Sequence, residues 1–442
     1  MTFWKKTTVL PIAAVSLSLC FLSCGNKTER GEQKGTVTLK MIHWVGNLKE
    51  NWEKYIIESY EEKHPKVKIE FEVYPYQLYY QKLLTASASG AFVGDVVAID
   101  DWMGEELFSH KYATDLQTYI DRDLNLHDFF PRLIEDWKYE RTGDLYALPN
   151  TAGITVLYYN KDLFDASGVS YPTDNWTYDS LLTAAIRLTK DTDGDGEIDQ
   201  WGLLIDNGMY TALETVLHSF GGGVLSGDHT RAILDDPHSI GGLRFWYNLV
   251  HKYKVSLLPS NTSVQPAEGF ARGVAAMVMM GDMASVGLRD VRFRWDFAMP
   301  PLGPGGLRRS GRFSDGLCIP VLSQHRDEAW ELIKWIATYP PRNGVSKISD
   351  KLTPVYRPLA ESKERVEELG AEKVRILNEL HEKYSVNNIT PGQFEWHENA
   401  MIPEIDNMLI GRKTVEQAAH DATIHINEVL KRRMEQKPAV AQ

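Results

Sequence analysis

Cysteine is scarce in this chain: Cys20, Cys24 and Cys318 are the only three among 442 residues. That excludes a disulfide-stapled scaffold, so the core must be held by apolar burial. Long apolar runs are equally scarce. Beyond the first two dozen residues, no stretch approaches the roughly 20 apolar residues that a membrane-spanning helix requires. Positive charge is in deficit: 48 Lys and Arg stand against 60 Asp and Glu, a net charge of −12. Such a balance argues against nucleic acid or anionic lipid as the main partner. Catalytic signatures are missing too. His381-Glu382 and His397-Glu398 lack the second histidine of a zinc-protease helix. Neither a Gly-x-Ser-x-Gly elbow nor a phosphate-cradling glycine loop occurs. A glycoside hydrolase is not excluded in this way, because its two carboxylates form no short motif.

What is present begins with an address. Lys5 and Lys6 precede an apolar run from Val9 to Leu22, which ends at Ser23-Cys24-Gly25 and turns polar at once. The run is too short and too early for an anchor helix, so residues 1–23 read as a secretion signal. A small residue before a cysteine is what a lipoprotein-processing peptidase needs. Cys24 is therefore expected to carry lipid, with residues 24–36 as a polar tether. The alternative is ordinary signal cleavage with Cys24 merely nearby. Lipidation would make the protein an extracytoplasmic lipoprotein of the cell envelope, held to a membrane. Cys318, in Gly316-Leu317-Cys318-Ile319-Pro320, is expected to be a buried small hydrophobe.

The body is too long for one ordinary core, which predicts two lobes. Val37, Leu39 and Met41 alternate with polar residues, as do Val67, Ile69, Phe71 and Val73, and both read as strands. Between them Trp52, Tyr55, Ile56 and Tyr60 share a helical face that Pro65 terminates. A helix over Tyr79–Ser87 and a short buried strand over Asp95–Ile99 complete a strand-helix rhythm that predicts a parallel sheet. Ligands of such sheets gather at the carboxyl ends of the strands, which singles out His43-Trp44 and Asp100-Asp101-Trp102. Further on, Ile154–Tyr158 reads as an apolar strand, Thr177–Lys190 as a helix, and the last third as mostly helical (365–382 and 414–433). Thr414-Val-Glu-Gln417 is a capping box.

Two motifs carry chemistry. Asp191, Asp193, Asp195, Glu197 and Asp199 occupy alternate positions of a loop with Gly196 at its sixth place, the first part of an EF-hand calcium loop. Position twelve is Gly202 instead of the bidentate glutamate. A structural Ca2+ is expected there, against the alternative of an acidic turn that never fills. Asp100 and Asp101 have three readings: a general acid–base pair, helix caps, or acceptors for sugar hydroxyls beside the Trp102 ring.

The Leu157-Tyr-Tyr-Asn-Lys-Asp-Leu-Phe164 segment, with Leu148-Pro149 before it and Ala166-Ser-Gly-Val169 after it, resembles the extracellular solute-binding proteins of ABC importers. That family includes maltose-binding protein. Trp176-Thr-Tyr-Asp-Ser-Leu181, the acidic loop through Gly202, and Phe270-Ala-Arg-Gly273 through Gly281 are similar to family segments in the family's order. So are Asp327-Glu-Ala-Trp330, which looks like a domain-crossing helix, and the closing Gly411-Arg-Lys-Thr-Val-Glu416-Gln-Ala418. The chain departs from the pattern at Gly94-Asp95, where Pro-Asp is frequent, and at Met283, where an aromatic is frequent.

The resemblance implies an α/β fold of two lobes, the periplasmic-binding-protein type II arrangement, each lobe a sheet flanked by helices, with a helical C-terminal part. The first lobe would comprise 37–152 and 308–340, the second 153–307 and 345–442. It also implies a monomer that is not an enzyme. Such a protein would close on a carbohydrate ligand and meet the membrane subunits of an ABC permease. Sugars offer apolar ring faces and many hydroxyls, so a cleft for them needs flat aromatics beside carboxylates and amides. On that ground Trp44, Trp102, Tyr158, Tyr210 and Phe313 are expected platforms, with Trp396 a further one. Asp100, Asp101, Asn150, Asn207, Asp282 and Arg312 are expected hydrogen-bonders, and His43 and Met283 complete the set. The rivals are a non-sugar solute, a lipid-anchored glycan-acting enzyme and a surface adhesin.

Overall fold

The structure is a computed structural model that describes residues 35–44, 48–139, 142–205, 210–258, 266–339, 352–387, 389–390 and 392–435. Residues 1–34, Cys24 among them, lie outside the described residues, and so does Asn207.

Among the described residues, a nine-stranded sheet organises the chain. Its strands are β1 (Val37–His43), β2 (Val67–Val73), β3 (Val96–Asp100), β4 (Leu148–Asn160), β5 (Met277–Gly281), β6 (Trp295–Ala298), β7 (Ser310–Cys318), β8 (Thr353–Pro354) and β9 (Ser385–Val386). The spatial order is β2-β1-β3-β7-β4-β5, with β6 and β8 beside β4 and β9 beside β7. β2, β1 and β3 are parallel, as their rhythm predicts. β7 then enters antiparallel between β3 and β4, although it lies more than two hundred residues after β3. Helix α1 runs through Lys49–Trp52, a π-turn Glu53–Ile57 and Glu58–Lys63. It buries Trp52, Ile56 and Tyr60. Helix α2 (Tyr76–Ser89) ends on Gly90 in the left-handed conformation, and α3 (Asp101–Ser109) follows β3 directly.

β4 joins the lobes. Over thirteen residues only Thr151 is not buried. Its first part supplies Leu148 and Ala152 to a hydrophobic cluster that also holds β1, β3 and Trp330. Farther along, Leu157 and Tyr159 point into a second cluster and Ile154, Val156 and Tyr158 into a third, an alternation set by the two-residue period of a strand. The apolar periodicity alone predicts only Ile154–Tyr158, because Pro149, Asn150 and Gly153 read as a boundary. A bulge between Pro149 and Thr151 admits the proline, which has no amide hydrogen to give the ladder.

The Asp327–Ile336 helix, observed as Arg326–Thr338, packs Trp330, Leu332 and Ile333 into the first cluster. Val355 and Ala360 also belong to that cluster, although the expected boundary gives 345–442 to the second lobe. The helix expected over 365–382 is two helices, Lys363–Leu369 and Ala371–Glu379, because Gly370 takes φ +89°. The Thr414 capping box is present as expected: Gln417 N–H donates to Thr414 Oγ1 (3.2 Å) and Thr414 N–H to Gln417 Oε1 (3.1 Å).

Candidate functional site

β7 crosses the sheet where β1 and β3 end. Residues opposite one another in an antiparallel ladder present side chains on one face. Asp100 pairs with Asp315, Asp315 with Thr151, and Phe313 with Gly153, so Asp100, Asp315, Thr151 and Phe313 share that face. Thr151 Oγ1 lies 3.5 Å from Asp315 Oδ2. A Cβ on Gly153 would sit 2.1 Å from the Phe313 ring, so glycine is required for the ring to lie flat against the strand. Trp44 stands 5.8 Å, centroid to centroid, from Tyr76 at the start of α2. The Tyr76 hydroxyl donates to Asp100 Oδ2. Asp100 Oδ1 accepts the Met103 amide (3.1 Å) and caps α3. Burial raises the Asp100 pKa to about 6, against the opposing pull of the Tyr76 hydroxyl and the Met103 amide.

The same wall reaches the second lobe. Tyr80, one helical turn after Tyr76, lies 4.9 Å from Phe394, and Trp102 lies 5.8 Å from Phe394 and 5.3 Å from His397. Phe394 sits in the helical turn Gln393–Trp396, and His397 opens the π-turn His397–Met401. The result is a band of half-buried aromatic faces backed by the buried His397, beside two carboxylates and contributed by both lobes. Tyr76, Tyr80, Thr151, Asp315, Phe394 and His397 are not singled out by the sequence reading. The one signal for any of them is the spacing of Tyr76 and Tyr80, which puts both on one helical face.

The remaining expected residues fall elsewhere. His43 is buried between Trp44 and Trp52, its Nδ1 accepting the Trp44 amide (2.8 Å), and burial drops its pKa to about 3. It therefore orients Trp44 as a neutral ring and offers no surface to a solute. Tyr158 is fully buried and donates to the Asp282 carbonyl (2.7 Å), and Trp396 is likewise fully buried, donating to Thr390 Oγ1 (2.9 Å). Neither offers an open platform. Arg312 is turned to the other face of the sheet, where it pairs with Asp136. Asp101 is on that side as well, its Oδ2 accepting the Ser314 amide (2.9 Å). Asn150 is buried in β4, and its carbonyl accepts the Val355 amide (3.0 Å). Met283 is exposed in the turn after β5. Tyr210 opens helix α4 (Tyr210–Ser219), and its side chain lies outside the described residues. Cys318 is buried, and burial pushes its thiol up to about 12.

Asp282 has a structural role with a pH signature. Its Oδ1 accepts the Ile154 amide (3.0 Å), and its Oδ2 is buried with no partner among the described residues. Burial raises its pKa to about 7, opposed by the Ile154 amide and by Arg365. A raised carboxyl pKa stabilises the fold below the unfolded value, and that contribution is lost as pH rises through the folded value. Asp282→Asn keeps the acceptor and removes the charge. Its stability relative to the parent should therefore improve by roughly 1–4 kcal/mol between about pH 5 and pH 8.5. Urea denaturation at the two pH values checks this, and a pH-independent difference would contradict it.

In the acidic loop, one oxygen each from Asp191, Asp193 and Asp195 lie within 4.8 Å of one another, all exposed. Gly194 and Gly196 hold the turn with φ of +81° and +94°, and their amides donate to Asp191. Asp199 is committed to Thr192, whose amide (2.7 Å) and hydroxyl (2.8 Å) donate to its Oδ2. Hard carboxylate oxygens clustered around a glycine turn suit a calcium ion.

Comparison with known proteins follows the same lines. A family described as bacterial extracellular solute-binding protein matches residues 46–340. The maltotriose-binding protein of Pyrococcus abyssi is 25% identical over 245 residues, 54% of this chain and 49% of that protein. An ABC substrate-binding protein of Listeria monocytogenes, solved in complex with cycloalternan, superposes with a TM-score of 0.76 at 20% identity, covering 90% of this chain and 99% of that one. A Mycobacterium tuberculosis protein solved in complex with glycerophosphocholine gives 0.77 at 17% identity, covering 90% and 100%.

Proposed function

Because this chain belongs to the bacterial extracellular solute-binding protein family, we propose that it captures a sugar or oligosaccharide between its two lobes and delivers it to the membrane subunits of an ABC permease. The observation that carries the sugar reading is the cluster of the Trp44, Tyr76 and Phe313 rings with Asp100 and Asp315 at the carboxyl edge of the sheet. Aromatic faces take the apolar side of a pyranose and fixed carboxylates accept its hydroxyls. Both oxygens of Asp100 are already engaged, one by the α3 amide and one by Tyr76, which suits a group that holds and orients a ligand better than one that shuttles a proton. Relatives named for maltotriose and arabinooligosaccharide support the same class of solute.

Lipid on Cys24 would hold the body beside its permease, in keeping with a signal that ends in Ser23-Cys24. Among the described residues no helix is long and apolar enough to cross a membrane. In the acidic loop Asp191, Asp193 and Asp195 would hold a structural Ca2+, which supplies a cross-link for the turn and no chemistry to the solute.

Thermal melting with a panel of oligosaccharides, monosaccharides, polyols and glycerophosphodiesters, with Ca2+ and with chelator, tests these readings together. A true solute at about a hundredfold excess over its Kd adds roughly 2.7 kcal/mol to the folded state, a shift of several degrees. An oligosaccharide is the expected hit. If only a phosphodiester or another non-sugar shifts the curve, the sugar reading fails. Calcium alone should raise the melting point, and Asp193→Ala should abolish that rise while leaving the sugar shift intact.

A further inference from the structure

The first lobe has another edge, opposite the carboxyl ends of β1 and β3. These strands are parallel with Met41 level with Val96, so continuing the register backwards brings Val37 level with Phe92. β3 and β7 are antiparallel with Val97 opposite Cys318, and the same continuation brings Leu322 beside Val93. Hydrogen bonds hold these segments together. The Asp95 amide donates to the Lys40 carbonyl (2.7 Å), and the Asp95 carboxylate accepts the Lys40 amide (2.9 Å) and the Ser323 hydroxyl (2.7 Å). The Val321 amide donates to the Tyr112 carbonyl (2.8 Å), and the Tyr112 hydroxyl donates to the Ala91 carbonyl (3.2 Å). The start of β1 and the loops that carry Phe92, Val321 and Leu322 therefore form one edge.

Apolar side chains stand in water along it: Phe92 is 49% exposed, Val321 37% and Leu322 41%. The other large hydrophobics as exposed among the described residues, Leu78, Ile186, Met283 and Ile424, sit singly on separate elements, which is ordinary for a protein surface. Three on loops tied to one another mark a contact surface. Its rim carries both signs of charge. Lys111 is exposed beside Tyr112, and the exposed Arg326 donates to the Val321 carbonyl, while Asp327 and Glu328 open the helix that follows. Such a rim matches a zwitterionic headgroup layer, and the apolar centre matches the acyl chains beneath it.

The point where the chain enters the body indicates what covers this surface. The polar tether of residues 24–36 joins the body at Val37, on this edge. Fully extended, those residues span about 45 Å, so a lipid on Cys24 keeps the edge near a bilayer at high effective concentration, where a weak apolar contact suffices. We propose that this edge is a membrane-contact surface, with Phe92, Val321 and Leu322 entering the boundary between headgroups and acyl chains of the bilayer that holds the Cys24 lipid. The inference rests on the lipid reading of Cys24. In this posture the Asp100 edge faces away from the membrane, toward arriving solute, and the slack of the tether lets the body lift off to meet the permease.

The test uses the processed, lipidated chain in phosphatidylcholine vesicles. Cys24 is then blocked and Cys318 is buried, so Leu322→Cys supplies the thiol that takes an environment-sensitive fluorophore. Its emission should shift to the blue on reconstitution and be quenched by nitroxide-bearing acyl chains. Both effects should persist in high salt, because the contact is apolar. A label at Ile186→Cys, on the second lobe, should show neither, and Phe92→Asp should cancel the shift at position 322. An unshifted label at 322, an equal shift at 186, or a shift that survives Phe92→Asp overturns the proposal. Mass spectrometry of Cys24 separates the two readings. An unmodified Cys24 removes the anchor and the surface together, whereas a lipidated, vesicle-bound chain with a water-exposed label at 322 removes the surface alone.

Discussion

Asp100→Asn should bind the cognate sugar roughly 10–100-fold more weakly than the parent, and Asp100→Ala more weakly still. A hydrogen bond to a charged acceptor contributes about 1.5–3 kcal/mol, which sets that range. The asparagine retains an oxygen for the Met103 amide and so keeps the α3 cap, whereas alanine forfeits about 1 kcal/mol of capping as well. The two effects separate with pH. Burial raises the Asp100 pKa to about 6, so its contribution to stability is full below the unfolded value and lost as pH rises through 6. Asp100→Asn should accordingly be least favourable near about pH 4 and closest to, or above, the parent near about pH 8. Titration calorimetry with the sugar identified by the melting screen reads the affinity, and denaturation at the two pH values reads the stability. Unchanged affinity in Asp100→Asn would remove Asp100 from the site.

Gly311→Ala should destabilise the fold by about 3 kcal/mol or more. Where β7 passes α4, a Cβ at Gly311 would lie 2.4 Å from the Thr211 carbonyl oxygen and 2.8 Å from Thr211 Cα. These are backbone atoms in a fully buried turn, so no side chain can swing aside. The Gly311 amide also donates to Thr215 Oγ1 (2.8 Å), which fixes the same approach from the other direction. Any relief must move α4, so the urea midpoint should fall. Gly287→Ala is the control. A Cβ there makes only an ordinary 3.6 Å contact with the Ala284 carbonyl, and a change within about 0.5 kcal/mol is expected. Similar midpoints for the two variants would show that the β7–α4 approach is looser than its geometry indicates.

What the sequence discloses about the site follows the range of the interactions concerned. Trp44, Asp100 and Trp102 are legible because strand ends can be located from alternation, and the carboxyl edge of a parallel sheet is where side chains face a ligand. Asp101 adjoins Asp100 and has the same chemistry, yet it faces the opposite side of the sheet through its bonds to Ser314 and Asn387. Asp315 and Phe394 are invisible by the same argument in reverse. Their spatial neighbours, Asp100 for one and Tyr80 and Trp102 for the other, lie more than two hundred residues earlier. Tyr158 shows how a motif misleads: it sits in the most recognisable segment of the chain and is wholly buried, bonded to the Asp282 carbonyl.

By itself the sequence determines the local elements and the family. Alternation sets β1 and β2, the Thr414 box sets the start of the last helix, and the ordered motifs from Leu148 onward identify a solute-binding protein. These features are written in residues close together in the chain, where spacing alone dictates geometry. Tertiary structure decides which of the expected residues share a surface. The insertion of β7 between β3 and β4 brings Asp315 and Phe313 to Asp100, turns Arg312 and Ser314 to the opposite face, and so divides one polar cluster between the two faces of the sheet. That division depends on strand register between distant segments, and a shift of one residue would exchange the two faces.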